Sequence, residues 1–333
     1  FSLDEFIMNI SPKKLQKLIL ENPLINIIDL RNDNQKKNNP LKNLKRIDMS
    51  FEKIKNLDLN DNTILICQFG IETEKFIIEK KLSNVYNLIG GAAAWNYYIS
   101  KKEDISRYAR QLVLPQVGEK GQKQILDSKV SIIGLGGLGT VVAQYLVGAG
   151  IGTIKLIDGD IISLTNLHRQ PIYPISSIGD SKSKTLKKIL SDVNENCTLI
   201  SYDEYIDDEN ISEILIDTDI IVDATDNINS RLIIDRFCKK SKIPFVYGAL
   251  YKFEGQVAVF NHNSGISYSD IFSNNKINEN CNDIGILGML PSIIGNIQSL
   301  EVLKIILKIS PNLSEKLLIY DGLSHTMEKI ELI

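Results

Sequence analysis

The stretch VSIIGLGGLGTVVAQYLVGAGIGTIKLIDGD, residues 130–160, decides how the rest of the chain is read. Residues 130–133 form a short apolar run with the length and β-branching of a buried parallel strand. The run breaks at Gly134-Leu135-Gly136-Gly137-Leu138-Gly139, and a helical pattern follows through Val141, Val142, Tyr145 and Leu146. A second β-rich run, residues 153–157, closes on Asp158. Strand, glycine turn, helix, strand and acid in this order predict the opening unit of a Rossmann-like nucleotide-binding sheet. Glycines at 134, 136 and 137 let the backbone turn tightly and approach phosphates, whose charge suits a helix N-terminus. Asp158 is placed to accept hydrogen bonds from ribose hydroxyls. The alternative is a tight strand-to-helix turn without a ligand, and the glycines alone leave the nucleotide open.

Composition narrows the classes. With 333 residues, 43% of them hydrophobic, the chain can bury a sizeable core and has room for two domains. A formal charge of -3 gives no reason to expect nucleic acid or an anionic membrane as partner. No apolar run reaches about 18 residues, so no transmembrane span is expected. No signal-peptide pattern opens the chain, and Phe1 in place of Met points to a trimmed or fragmentary start. Cys67, Cys197, Cys238 and Cys281 lie far apart without a Cys-x-x-Cys pair. That spacing argues against a disulfide framework and fits a reducing cytoplasm.

Residues 24–30 (LINIIDL) read as a buried strand whose end carries Asp29 and leads to Arg31, and the polar residues 32–45 as a surface loop. Residues 63–67 (TILIC) read as another strand, followed by Gln68-Phe69-Gly70-Ile71-Glu72-Thr73 and a helix over about 74–82. A third strand, 85–88, runs into Gly90-Gly91-Ala92-Ala93-Ala94-Trp95. Asp29-Leu30-Arg31, a Cys closing a strand before a loop and helix, and VYNLIGGAAAW together resemble a small rhodanese (sulfurtransferase) domain over residues 5–100. The resemblance implies that Cys67 carries a persulfide. A Cys ringed by backbone N–H groups near a helix N-terminus has its thiolate favoured. Where the family's loop carries two arginines, Gln68 and Glu72 stand, which disfavours a small anionic donor such as thiosulfate. Persulfide delivered by a protein such as a cysteine desulfurase stays open, and the alternative is a rhodanese fold kept as a docking module.

A charged connection at 101–105 places the domain boundary, giving domains 1–101 and 102–333. RYARQ (107–111), an amphipathic helix over 118–126, Ser163 to Gln170, and GDSK (179–182) opening a helix follow in order. Residues 219–223 read as a buried strand running into Ala224-Thr225-Asp226-Asn227 and a helix, and 245–248 and 256–260 as strands, the latter antiparallel. RYARQ, GLGGLG, LIDGDIISLTNLHRQ, GDSK and DATDN, in this order, resemble the MoeB/ThiF family, the adenylating enzymes of sulfur-carrier proteins and relatives of ubiquitin-activating enzymes. The match spans residues 103–333. The expected fold class is α/β, a small rhodanese-like domain followed by a Rossmann-like mixed-sheet ATP-binding domain.

The resemblance implies ATP with a magnesium ion rather than a dinucleotide. It places Gly137 and Asp158 on the phosphates and ribose, and Thr165, Asn166, Leu167, His168 and Arg169 along the triphosphate. Lys182 would reach the phosphates, and Asp226 with Asn227 would sit at the magnesium and the reacting α-phosphate. Arg110 would reach into the partner's site, which implies a homodimer. Cys281 matches the family's loop cysteine, which forms a thioester or persulfide link with the carrier. The implied activity is adenylation of the C-terminal glycine of a small ubiquitin-like sulfur carrier, for thiamine or molybdopterin synthesis. The chemistry agrees, because two anions must approach and cations must offset their repulsion. Taken singly, Arg169 and Lys182 read equally as solvated charges and Asp226 as a helix N-cap.

Residues 262–283 are polar and predict a long mobile loop. Many relatives bind zinc there and near the C-terminus through Cys-x-x-Cys pairs; here Ser267-Tyr268-Ser269-Asp270 and MEKIELI stand instead, so no zinc is expected. Cys197 and Cys238 sit in apolar patterns and read as core residues, and His168, His262 and His325 show no ligand spacing. Residues 295–307 predict an amphipathic core helix, and 317–320 a closing strand. Two other classes compete. A nicotinamide or flavin oxidoreductase shares the glycine turn and Asp158 but leaves Asn166, Arg169, Lys182 and Asp226 unexplained. A non-catalytic carrier-binding scaffold accounts for the altered rhodanese loop.

Overall fold

The computed structural model describes residues 8–55, 57, 59, 63–83, 85–101, 104–263, 265–272 and 285–332, and the chain divides into two compact units, 1–122 and 123–333. The first unit holds a five-stranded sheet of β1 (Met8–Ile10), β2 (Ile27–Asp29), β3 (Ile47–Asp48), β4 (Thr63–Ile66) and β5 (Val85–Leu88). Their order is β1-β5-β4-β2-β3, with every pairing parallel. Side chains alternate across a strand, so Ile64 and Ile66 join one apolar cluster with Leu15 and Trp95 while Leu65 joins another with Phe76 and Ile77. Both faces are buried, which is why this strand reads as an unbroken apolar run.

Three expectations shift here. The predicted strand 24–30 contracts to Ile27–Asp29, the residues in register with β4; Asn26 O and Leu30 N add one flanking hydrogen bond each, and Leu24 is 90% exposed. The predicted loop 32–45 contains a helix, Asp33–Asn38, closed by a reciprocal capping box between Asn32 and Gln35, and it buries Leu41 and Leu44. The helix expected from residue 74 starts at Ile71, after Gly70 takes a left-handed conformation.

The second unit holds eight strands: β6 (Lys129–Ile133), β7 (Thr153–Ile157), β8 (Thr198–Tyr202), β9 (Ile220–Asp223), β10 (Phe245–Tyr251), β11 (Glu254–Phe260), β12 (Lys316–Asp321) and β13 (Thr326–Glu331). They run in the order β13-β12-β11-β10-β9-β6-β7-β8. The pairings from β10 through β9, β6 and β7 to β8 are parallel, and those among β10 to β13 are antiparallel. The chain crosses from β6 to β7 through the helix Gly137–Ala149.

The turn between β6 and that helix is closed by backbone proximity. Gly134 has φ +87°, and a Cβ there would lie 2.6 Å from the Ala224 carbonyl oxygen. A Cβ on Gly139 would overlap the Gly134 carbonyl oxygen. The helix Met289–Ile306 seats across β10 and β11, where Gly248 and Gly255 leave room for Gln298 and Ile294. Among the described residues it is the one helix long and apolar enough, by length and composition, to cross a membrane. Its polar side chains bond within the unit: Gln298 Nε2 donates to the Asp223 carbonyl at 2.8 Å, and Glu301 accepts from Leu313 N at 2.7 Å. It is a core helix that starts before the predicted residue 295.

The expected long loop at 262–283 is interrupted by the helix Tyr268–Phe272, whose rings meet Tyr247 at a tilt and Phe260 edge-on; residues 273–284 lie outside the described residues. Cys197 and Cys238 are buried as expected, and burial pushes the Cys197 thiol up to about 12.

Gly139→Ala is expected to destabilise the second unit by about 3 kcal/mol, because the methyl group meets backbone rather than a movable side chain. Gly136→Ala, whose Cβ would meet Gln170 Nε2 at an ordinary contact distance of 3.5 Å, is expected to stay within about 0.5 kcal/mol of wild type in urea unfolding.

Candidate functional site

The loops at the C-terminal ends of β6, β7 and β9 carry most of the residues singled out from the sequence. Gly136 caps the helix that begins at Gly137 without a side-chain hydrogen bond, so the first N–H groups of that helix stay available. Asp158, one residue past β7, holds the turn from the other side. Its Oδ2 accepts from Leu135 N and its Oδ1 from Asp160 N, both at 2.7 Å. The residue is 8% exposed. Burial pushes its carboxyl above the usual range, against the opposing pull of the Lys182 charge and the two N–H groups.

The segment after Asp160 crosses the glycine turn. A 3-10 turn at Leu164–Asn166 lets Arg169 donate to the Thr165 carbonyl at 3.2 Å and to Asn166 Oδ1 at 3.1 Å. His168 Nδ1 lies 3.0 Å from the Thr165 carbonyl oxygen. A Cβ on Gly137 would stand 3.2 Å from the Arg169 carbonyl oxygen and 3.0 Å from Pro291 Cβ, so only glycine fits without displacing this cover. Gln170 is 2% exposed, its Oε1 has no partner among the described residues, and its Nε2 would lie 3.5 Å from a Cβ on Gly136.

Lys182 is the first residue of the helix Lys182–Val193, which Ser181 caps by accepting from Lys184 N. A cation in the first turn opposes the helix dipole. Here the side chain is only 5% exposed, and Nζ donates to Asp160 Oδ2 at 2.7 Å. The second oxygen of Asp160 accepts from the Tyr205 hydroxyl. Tyr173, buried between the two segments, donates to the Leu135 carbonyl at 3.0 Å.

β9 delivers the third piece. Asp223, fully buried, accepts from Thr225 N at 2.9 Å, Thr225 Oγ1 at 2.6 Å and Arg231 Nε at 3.1 Å. Asn227, not Asp226, caps the following helix by accepting from Ser230 N at 2.8 Å. Asp226 is exposed, and its carboxylate makes no hydrogen bond among the described residues.

The second unit therefore brings together Gly134, Gly136, Gly137, Asp158, residues 165–169, Lys182, Asp226 and Asn227. Arg110 belongs to the first unit, where its Nη2 lies 3.4 Å from Glu74 Oε2. Cys281 lies outside the described residues. Cys67 is 1% exposed, with Sγ 3.3 Å from Thr73 Oγ1. Thr73 donates its hydroxyl proton to Asn87 Oδ1 at 2.6 Å, so the contact with Cys67 is made by the thiol proton. Gln68 Oε1 accepts from Arg31, whose other N–H groups hold Asp29 in a bidentate pair. Asp160, Tyr205, Gln170 and the Asp223–Arg231 pair were not legible as site elements. Asp160 and Gln170 stand in the LIDGDIISLTNLHRQ stretch and Asp223 opens DATDN, whereas Tyr205 and Arg231 stand in no motif.

The ThiF family model matches residues 108–333. The chain is 38% identical over 235 residues to a probable molybdopterin-synthase adenylyltransferase of Porphyra purpurea, covering 69% of this chain and 62% of that protein. It is 40% identical over 236 residues to the adenylyltransferase and sulfurtransferase MOCS3 of Dictyostelium discoideum, covering 70% of this chain and 56% of that protein. It thus spans less than two thirds of the length of either. With the sulfur carrier protein adenylyltransferase of Thermus thermophilus it shares 36% identity over 237 residues, 69% of this chain and 88% of that protein. Among solved structures, PaaA aligns with a TM-score of 0.61 at 25% identity, over 69% of this chain and 83% of that one. Escherichia coli MccB with ATP aligns at 0.61 and 22% identity, over 68% and 71%, a likeness of fold. The chain belongs to the ThiF family.

Proposed function

We propose that this chain adenylates the C-terminal glycine of a small ubiquitin-like sulfur carrier. The observation that carries the reading is the gathering of an open helix N-terminus, Arg169, Lys182 and Asp226 around one glycine turn at the C-terminal end of a parallel sheet. The relatives' names, which include molybdopterin-synthase and sulfur carrier protein adenylyltransferases, support the substrate class. The carrier's carboxylate oxygen attacks the α-phosphorus of ATP, the bond to the bridging oxygen breaks, and pyrophosphate leaves with that electron pair. The nucleophile is already ionised at neutral pH, so the site needs no general base. Its task is to hold anions together: backbone N–H groups and Lys182 on the phosphates, Arg169 with Asn166 along the triphosphate, Asp158 on the ribose. A magnesium ion supplies charge neutralisation on the phosphates, and the unengaged carboxylate of Asp226 suits an ion that takes one protein ligand beside phosphate and water.

The rest of the proposal extends to the partners. The active form is a cytoplasmic homodimer in which Arg110 enters the partner's site. The part before about residue 101 is rhodanese-like, supported by its parallel sheet and by Cys67 at the end of β4. Sulfur from a cysteine desulfurase would be held on Cys67 as a persulfide and passed to the carrier with Cys281, for molybdopterin or thiamine synthesis. The burial of Cys67 requires the loop after it to open for that step.

Asp226→Ala is expected to lower carrier-dependent pyrophosphate–ATP exchange by roughly 10³-fold, about 4 kcal/mol of transition-state stabilisation, with unchanged circular dichroism. Retained exchange refutes the role.

Mixing inactive Arg110→Ala and Lys182→Ala proteins tests sharing between subunits. Half of randomly mixed dimers then carry one intact site, so exchange is expected to recover to roughly a quarter of wild type. No recovery in verified mixed dimers excludes it.

Cys67→Ser is expected to keep exchange, which depends on charge and position, and to lose thiocarboxylate formation, read by mass spectrometry of the carrier. Undiminished thiocarboxylate would make the first unit a docking module and leave the ATP site untouched.

A further inference from the structure

One network in the second unit has no part in the chemistry so far described. Its centre is Asp160, whose backbone N–H closes on Asp158 while its two carboxylate oxygens serve Lys182 and Tyr205 separately. The Lys182 ammonium is buried, and Asp160 is the acid that faces it at 2.7 Å. A buried cation deprived of its counter-ion leaves its place or loses its proton, so the position of Asp160 dictates the position of Lys182. Asp160 itself is half-exposed and would swing freely on its own. Burial would raise its carboxyl, but the hydrogen bonds from Lys182 and Tyr205 outweigh that and hold it below the usual range. The hydrogen bond to Asp160, with burial and the nearby acids behind it, pushes the Tyr205 phenol up to about 12, so it stays a donor.

Tyr205 is placed by contact with the chain between the two acids. A Cβ on Gly159 would stand 2.8 Å from Tyr205 Cδ2 and 2.9 Å from Tyr205 N. Any side chain at 159 would lift the ring and carry its hydroxyl off Asp160. The succession Asp158-Gly159-Asp160 thus reads in three dimensions as clamp, clearance and anchor. Tyr205 lies three residues past β8, next to β7 in the sheet, so the hydroxyl reaches the site from a neighbouring loop.

Resting on the adenylation reading, we propose that Asp160 and Tyr205 are positioning residues that set the Lys182 ammonium for the phosphates of a nucleoside triphosphate, with Gly159 present to admit the Tyr205 ring. Lys182 is held by a carboxylate whose place an anionic phosphate oxygen can take.

The test uses the whole chain and two readouts. Acetylation by an N-hydroxysuccinimide ester, mapped by mass spectrometry without nucleotide, is expected to label Lys182 at least about 10-fold more slowly than the exposed Lys188. Asp160→Asn is expected to remove that protection, and Tyr205→Phe, which keeps the ring on Gly159 and deletes only the hydroxyl, to remove part of it. Calorimetric binding of magnesium and a non-hydrolysable ATP analogue is the second readout. Asp160→Asn is expected to weaken binding about 10-fold with Lys182 present and less than about 2-fold in a Lys182→Ala background, because the residue acts through the lysine. Equal losses in both backgrounds overturn the proposal, as does wild-type Lys182 labelling as fast as Lys188. An analogue that fails to bind the wild-type protein refutes the adenylation reading instead, and the labelling still decides whether the network holds the lysine.

Discussion

The two hydrogen bonds that Asp158 accepts from Leu135 N and Asp160 N hold the second unit's loops in register. The turn after β6 is too tight for its backbone to satisfy itself, and an unmet buried N–H costs about 1–3 kcal/mol. A carboxylate from the neighbouring strand meets that N–H and fixes the turn against β7. The third side is backbone: Gly134 approaches Ala224, so β9's loop is set by the same turn. Loops from three adjacent parallel strands share one geometry because a single carboxylate and two bare glycines allow them to touch. Helix Gly137–Ala149 then points its free N–H groups into the space left over.

Charges around this space divide by what holds them. Arg231 is committed to structure: Asp223, the Thr225 carbonyl and the Tyr247 ring surround it. Burial disfavours the guanidinium most, and the Asp223 charge, the Tyr247 and Tyr268 phenols and the hydrogen bond to Asp223 together outweigh it and favour the cation. Arg169 and Lys182 have lighter ties, one to a carbonyl and an amide oxygen, the other to a single carboxylate. A phosphate can compete for such donors. Asp226 completes the set precisely because Asn227 takes the helix cap and leaves that carboxylate unengaged.

The first unit follows a different logic. Arg31, fully buried, grips Asp29 with two N–H groups and gives a third to Gln68. An arginine at 68 would set two guanidinium groups against each other in a buried place, so Gln68 is matched to Arg31. The same tether draws the loop after Cys67 inward, and Ala92 N and Ala93 N close on the carbonyls of Cys67 and Gln68. With Thr73 donating to Asn87, Thr73 Oγ1 is left to accept in its contact with Cys67 Sγ. Access to the Cys67 thiol therefore depends on the loop opening.

Local pattern was enough to read β6, the glycine turn, β7, the helix after Ser181 and the strand before Asp223, because apolar period, glycine spacing and cap chemistry act over a few residues. It failed where partners are distant. Residues 24–26 look like strand, yet the register with β4 begins only at Ile27, and residues 32–38 look like loop yet close a capping box. Asp226 reads as a helix N-cap on paper, yet Asn227 takes that place in the fold. Tyr205 carries no signal at all, since its meaning arises from Gly159 and Asp160 some 45 residues away. By itself the sequence determined the strands around the glycine turn, the family and the charged residues that phosphate chemistry requires. Tertiary structure alone decided which of those charges are already satisfied and which remain free, because hydrogen-bond partners and burial are properties of chain segments that meet only after folding.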